Sequence, residues 1–441
     1  MSPAAQVDSA LEEVLVALTR QGLTRAEVYA KRGRSRRLEL GPGGETASFH
    51  EERGWAVRAG TGRGAFFTAS TGEPDPGATW PAIDGPALEL PEAAAPAPWS
   101  EPSDFETPLV GESEGLRLLA GLARELESEL PGARLLTAVL EDGSSEAELA
   151  SSRGVRARVR GRVAALRLEA ALPARGAARD GVRASVYLAA REARRFAPSA
   201  LARRLADALS VRAGGAPPPP ESGGELLLAP AVGARLLAAL LPLFVGPEAP
   251  ARTAALRDRQ GRLGSAALTL IDDGRLPGGV FEAAVDGEGV PCRAATLVEH
   301  GVFRGPLLAW RQARGGEDAA GCSRRPSWRD LPAPGPTHLY LQPDPKLAVA
   351  ALLGGIDRGA YLIEPTGAPR IDWPGGRFAL PVCGLAVAGG RAEAPLAGAW
   401  LSGEIAALLQ GVRAAARDLT FFPFDGMLGA PTLLVTGLEL R

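Results

Sequence analysis

Hydrophobic residues recur along the chain with two different periods. From Ser9 to Gln21 the apolar positions Leu11, Val14, Leu15 and Leu18 fall on one helical face, with Ser9 placed to cap the start and Gly22 to end it. Residues 26–30 and 37–40 alternate as half-buried strands do. Residues 55–59 and 64–68 predict a hairpin around Gly60 and Gly62. A helical period returns at 112–129. Strand-like runs follow at 135–140, 147–151, 155–168 and 183–190, then a helix at 199–209. The four prolines from Pro217 to Pro220 form a stiff spacer. Beyond it the pattern changes to short β-like runs at 225–229, 267–271, 293–298, 337–341, 359–364, 377–387 and 432–440, separated by Gly and Pro turns. Helices are predicted there only at 231–244, 345–354 and 401–415.

These elements predict an α+β protein. An N-terminal α/β domain spans 1–215 and contains a Pro/Ala-rich connection at 72–108; a Pro-rich linker follows at 216–224, and a β-rich C-terminal domain spans 225–441. At 441 residues the chain is long enough for such a division.

Composition narrows the function classes. Hydrophobic residues make up 46% and charged residues 23%, as in globular proteins. The net charge of −2 gives no bulk attraction to nucleic acid or membrane surfaces. No run of about 18 uninterrupted apolar residues occurs, so no membrane-spanning helix is expected. Residues 1–20 lack the apolar core of a signal peptide, and the expected compartment is the cytoplasm. The three cysteines, Cys292, Cys322 and Cys383, are widely spaced and form no CxxC pair.

Several short clusters carry potential chemistry. Asp286-Gly287-Glu288-Gly289 offers two carboxylates for acid–base work, or a solvated turn. Asp272-Asp273-Gly274 offers oxygens for a divalent ion, or a turn after a strand. His300 stands in the turn Glu299-His300-Gly301. Gly60-Thr61-Gly62-Arg63-Gly64 lacks the lysine and the following helix of a phosphate-binding loop. Cys383 reads as a buried apolar residue, and Cys322 as a residue of a polar loop. The aromatic residues Trp310, Trp328, Trp373, Trp400 and 421–424 suit either core packing or a partner interface.

The run from Gly278 to Gly305, with its acidic-glycine turn and following strand, resembles the TldD/PmbA family. Residues 26–29, 52–60, 268–273, 381–391, 395–398 and 430–435 extend the resemblance over most of the chain. The resemblance implies an α/β domain followed by a β-rich domain. One branch of that family carries an HExxxH helix and a later cysteine as zinc ligands; the other lacks them and partners the first. The corresponding stretch here, 227–244, contains no His, Glu, Asp or Cys. The resemblance therefore implies a subunit with no catalytic, cofactor-binding or metal-binding residue of its own. It would pair with a TldD-like zinc metalloprotease subunit and help to enclose unfolded peptide substrates. Asp286, Glu288, His300, Arg235 and Leu237 are the residues expected to line that cavity or meet the partner. Two alternatives remain open: a homodimer in isolation that binds peptides or other ligands without cleaving them, and a hydrolase built on Asp286, Glu288 and His300.

Overall fold

A computed structural model of the chain describes residues 8–95, 107–173, 181–218, 224–313 and 321–441. The N-terminal domain is a six-stranded sheet built from β1 (Arg25–Gly41), β2 (Gly44–Gly60), β3 (Ala65–Thr71), β4 (Arg134–Ser151), β5 (Arg156–Leu172) and β6 (Val182–Ala190). Its spatial order is β3-β2-β1-β4-β5-β6, and every pairing is antiparallel. Three helices accompany it: α1 (Ser9–Arg20), α2 (Glu112–Glu129) and α3 (Pro198–Gly214).

The runs predicted separately at 26–30 and 37–40 are the two ends of β1, and those at 135–140 and 147–151 are the two ends of β4. Charged residues fill the middles and hide the continuity. Both strands run on because neighbouring strands pair charge with charge: Arg32 meets Glu146, Arg160 meets Glu146 at 2.6 Å, and Arg162 meets Asp142 at 3.1 Å. Apolar ends are covered instead. The buried face of α1 packs on Ala26, Val28, Val57, Ala59 and Ala150, while α2 and α3 pack on Leu38, Leu140, Leu166 and Leu168.

The C-terminal domain holds two larger sheets. One contains β7 (Glu225–Leu228), Arg358–Pro365, Arg377–Ala388 and Arg391–Glu404, with β7 parallel to Arg358–Pro365. The other contains β8 (Leu270–Asp273), β9 (Ala294–Glu299), His338–Leu341 and Gly426–Ala430. Between them runs α4 (Pro230–Ala239), whose Gly233 approaches Ala430 so closely that a Cβ would lie 2.8 Å from the alanine methyl. One hydrophobic core joins both sheets and α4.

The helix predicted at 401–415 is corrected by the structure. Residues up to Glu404 belong to a strand, only Ile405–Gly411 is helical, and Val412–Ala415 returns to strand. Pairing with Arg377–Ala388 on one side and Leu433–Val435 on the other overrides the local helical period. The helix at 345–354 shortens to Val349–Gly354. Of the predicted proline spacer, Pro219 and Pro220 lie outside the described residues, as do 96–106 of the 72–108 connection.

The domains share a long boundary. Arg204 of α3 pairs with Glu364 at 2.8 Å, and Arg212 donates to the Pro365 carbonyl at 3.1 Å. A second contact zone, around the acidic-glycine turn, holds the candidate site.

Candidate functional site at the domain boundary

The turn at 286–289 is shaped by its first carboxylate. Asp286 Oδ1 accepts from the Glu288 and Val290 N–H groups at 2.8 and 3.0 Å, and Oδ2 accepts from the Ser323 N–H at 2.9 Å. The Gly287 N–H returns a bond to the Ser323 carbonyl at 2.7 Å. Gly289 has φ +79°, and a Cβ there would sit 2.3 Å from Val155 of the N-terminal domain. The turn is thus pressed against the N-terminal sheet, with Tyr29, Leu149, Val155, Val285 and Trp328 forming a small apolar core across the boundary.

Beside this core lies a buried ionic network. Arg58 on β2 grips Glu27 on β1 through Nε at 2.9 Å and Nη2 at 2.6 Å. Arg325, from the C-terminal domain, donates to Glu27 Oε1, the oxygen that also accepts Arg58 Nε, and stacks its guanidinium over Tyr29 at 4.6 Å. Both Glu27 and Arg325 side chains are only 1% exposed. Glu288 completes the set: it lies 3.5 Å from Arg58, accepts from Ser323 Oγ at 2.5 Å and takes the Trp310 N–H at 3.2 Å.

Electrostatics follow from this geometry. Burial alone would raise the Glu27 carboxyl, but the charges and hydrogen bonds of Arg325 and Arg58 hold it below its usual range. Asp286 is pushed up to about 7 by burial and by neighbouring Glu288, against three backbone N–H donors. Asp272 is also raised to about 7 by burial; its carboxyl accepts the Thr337 N–H and hydroxyl at 2.8 and 2.9 Å. His338, likewise buried, donates from Nδ1 to the Asp273 carbonyl at 2.9 Å and accepts the Phe281 N–H on Nε2 at 3.2 Å. Those two partners fix one neutral tautomer, and burial lowers its pKa.

A cavity of about 350 Å³ opens between the sheet face and the C-terminal loops. Tyr29, Leu149 and Val159 wall one side; Val280, Asp286, Cys292 and Arg324 wall the other. Cys322, expected in a polar loop, is instead buried against this cavity, and burial pushes its thiol up, away from the thiolate form.

The five predicted site residues do not converge. Asp286 lines the cavity and Glu288 packs into the ionic network behind it. His300 sits in the turn after β9 with φ +46°, and its contacts are with Ala266, Thr269 and Arg262. Arg235 lies over the Phe424 ring at 5.6 Å, and Leu237 is buried in the C-terminal core. Neither lines this cavity. The oxygens of Asp286 and Glu288 are occupied by structural donors, so the pair resembles a brace rather than an acid and a base facing a substrate. The tryptophans suited to either core packing or a partner interface divide: Trp328 is buried at the boundary, Trp310 and Trp400 are half-buried, and Trp373 is exposed.

Glu27, Arg58 and Arg325 were not anticipated. A signal existed for two of them, because each stands as a single charge inside an apolar run, Glu27 between Ala26 and Val28 and Arg58 between Val57 and Ala59. A charge in such a run must be paired when the strand is buried.

No donor on α4 suits zinc: Pro230–Ala239 reads PAVGARLLAA. Among the described residues no three His, Cys, Asp or Glu side chains cluster closely enough to hold an ion. No helix among them is long and apolar enough to cross a membrane.

Comparison with known proteins gives a consistent picture. Residues 223–441 match the family model described as PmbA/TldA metallopeptidase C-terminal domain. A Metalloprotease TldD homolog of Buchnera aphidicola is 27% identical over 170 residues, 38% of this chain and 35% of that protein. The chain thus spans about a third of the length of the curated relatives it matches. TldE from Thermococcus kodakarensis superposes with a TM-score of 0.84 at 19% identity, covering 98% of this chain and 100% of that one. A Thermotoga maritima protein proposed to modulate a DNA gyrase superposes with a TM-score of 0.82 at 18% identity, over 98% and 99% of the two chains. At these identities the superpositions establish the shared fold.

Proposed function

Because the chain belongs to the TldD/PmbA family, we propose that it is the zinc-free, TldE/PmbA-like subunit of a two-chain metallopeptidase. One observation carries this reading. The resemblance places the family's metal-binding helix at α4, and α4 presents alanine and leucine to a closed core instead of histidine and glutamate to a cavity. A catalytic zinc site needs three protein ligands and an open water position, and a metallopeptidase adds a general base. The α4 side chains supply neither. The chemistry then belongs to a TldD-like partner, and this chain contributes walls to the chamber that receives unfolded peptides.

The test mixes the purified chain with a TldD-like chain that carries HExxxH. Co-elution in size exclusion, with peptide cleavage and stoichiometric zinc found only when that partner is present, is expected. Zinc held tightly by the isolated chain together with peptide cleavage would overturn the reading, as would failure to associate with any TldD-like chain from the same genome.

A further inference from the structure

We propose that the open edge of β2 between Glu45 and Glu51 binds an extended cationic peptide segment, adding it as a further strand of the N-terminal sheet. β1 pairs with β2 along its whole length, Gly44 to Gly60, whereas β3 covers only Gly54 to Gly60. Every residue from Gly44 to Arg53 is exposed. The Gly72 N–H donates to the Arg53 carbonyl at 3.2 Å, so the peptide groups of Arg53 point away from β1. In an antiparallel ladder alternate residues share that direction. Glu45, Ala47, Phe49 and Glu51 therefore present N–H and C=O groups to the edge, and no described residue takes them. A long edge left open is a template for strand addition.

Both ends of the stretch are closed, by the turn at Gly41–Gly44 and by Gly72, which limits the occupant to about seven residues at one residue per ladder position. The register that would use the whole stretch disfavours a second copy of this chain. Two-fold pairing centred on Ser48 sets Glu45 against the partner's Glu51, and like charges directly opposed are destabilising. Centring on Phe49 carries the hairpin tip at 42–44 onto positions 54–56, where β3 already pairs.

Charge selects the occupant. The strands of this sheet alternate in sign: β1 carries Arg32 and Arg34, β4 carries Glu146 and Glu148, and β5 carries Arg158 and Arg160. On the other side of β1, Arg34 stands opposite Glu51 of β2, whereas Arg32 stands opposite Arg53, which pairs with Glu73. The next strand outward in that alternation is basic. Glu45 and Glu51 lie on one face, six residues apart, with Ala47 and Phe49 between them, and Phe49 is 53% exposed. The matching segment has cations six residues apart with apolar side chains between. An added strand sends its side chains alternately to two faces. A hollow of about 620 Å³ lies beside Glu51 and Arg53 on one of them, and one of about 150 Å³ lies beside His50 and Glu52 on the other.

This deepens the peptide-handling reading and rests on it only in calling the occupant a substrate. Binding is read on the isolated full chain, so its failure is distinguishable from failure to assemble with a TldD-like chain. The probe is acetyl-Arg-Thr-Val-Thr-Val-Thr-Arg-amide, followed by calorimetry. Saturable 1:1 binding is expected. Replacing both arginines of the probe by glutamate, or methylating its alternate backbone nitrogens, is expected to weaken it by about tenfold or more, the scale of one or two lost hydrogen bonds or ion pairs. Ala47→Pro removes an N–H that β1 does not use, so it is expected to leave the thermal melt unchanged and weaken binding to the same extent. Glu51→Lys serves as a second variant with the backbone intact and is expected to do likewise. No binding to the wild-type chain, or binding indifferent to backbone methylation and to Ala47→Pro, would overturn the proposal. So would tight binding of the probe to Glu51→Lys.

Discussion

Replacing Glu27 by Gln tests whether the ionic network holds the two domains together. The side chain keeps its volume and one carbonyl acceptor but loses its charge. In the native protein that carboxylate takes two bonds from Arg58 and one from Arg325, and the guanidinium-bearing side chains are 11% and 1% exposed. Among the described residues, removal leaves two buried cations with Glu288, at 3.5 Å from Arg58, as the remaining paired counter-charge. Breaking a buried pair by deleting one partner costs about 3–5 kcal/mol. The retained amide oxygen places Glu27→Gln near the lower end, about 3 kcal/mol. With a urea slope of about 2 kcal/mol/M for the transition that opens the boundary, the midpoint falls by about 1.5 M. Trp328 is 2% exposed at the boundary, so its emission should shift to the red in that same transition. Arg325→Met alone is expected to be comparably costly because it leaves Glu27 short of a donor. The double variant Glu27→Met/Arg325→Met should be less destabilised than the sum of its parts, because it removes the Arg325 charge together with its partner and leaves Arg58 facing Glu288 at 3.5 Å. Additive costs below about 1 kcal/mol each would show that the network is solvated or dispensable, and the reasoning would fail.

Three further outcomes follow from the same geometry. Gly289→Ala combines a positive φ with a Cβ 2.3 Å from Val155, so a loss of about 1–3 kcal/mol and faster hydrogen exchange along residues 285–291 are expected, measured by native-state exchange. Asp272 has a folded pKa near 7 against an ordinary value of 3.8; its stabilising contribution is fully present below about pH 4 and declines as pH rises to about 7, and Asp272→Asn should flatten that part of the stability profile read by urea titration at a series of pH values. Leu237→Ala should cost about 2–5 kcal/mol in a denaturation experiment, as expected of a core position on α4; a cost near zero would place that side chain at a surface instead.

Local periodicity in the sequence determined much of the fold. The apolar stripe of α1, the span of α2, the hairpin of β2 and β3, and the change from long to short elements after α3 were all legible, because each depends on residues close together in the chain. The apolar make-up of α4, which carries no His, Glu, Asp or Cys, was also legible, since it is a fact of residue identity. Only the tertiary structure could decide three things. It joined charged segments into strands of 17 and 18 residues, because the charges are satisfied by strands far away in sequence. It turned part of the predicted 401–415 helix into strand, with Gly411 fixed where a Cβ would lie 2.2 Å from the Thr436 carbonyl. It also gathered Glu27, Arg58, Glu288 and Arg325 from positions up to 298 residues apart. Each of these is an ordinary charged residue in the sequence, and only burial at the meeting of two sheets makes their pairing obligatory.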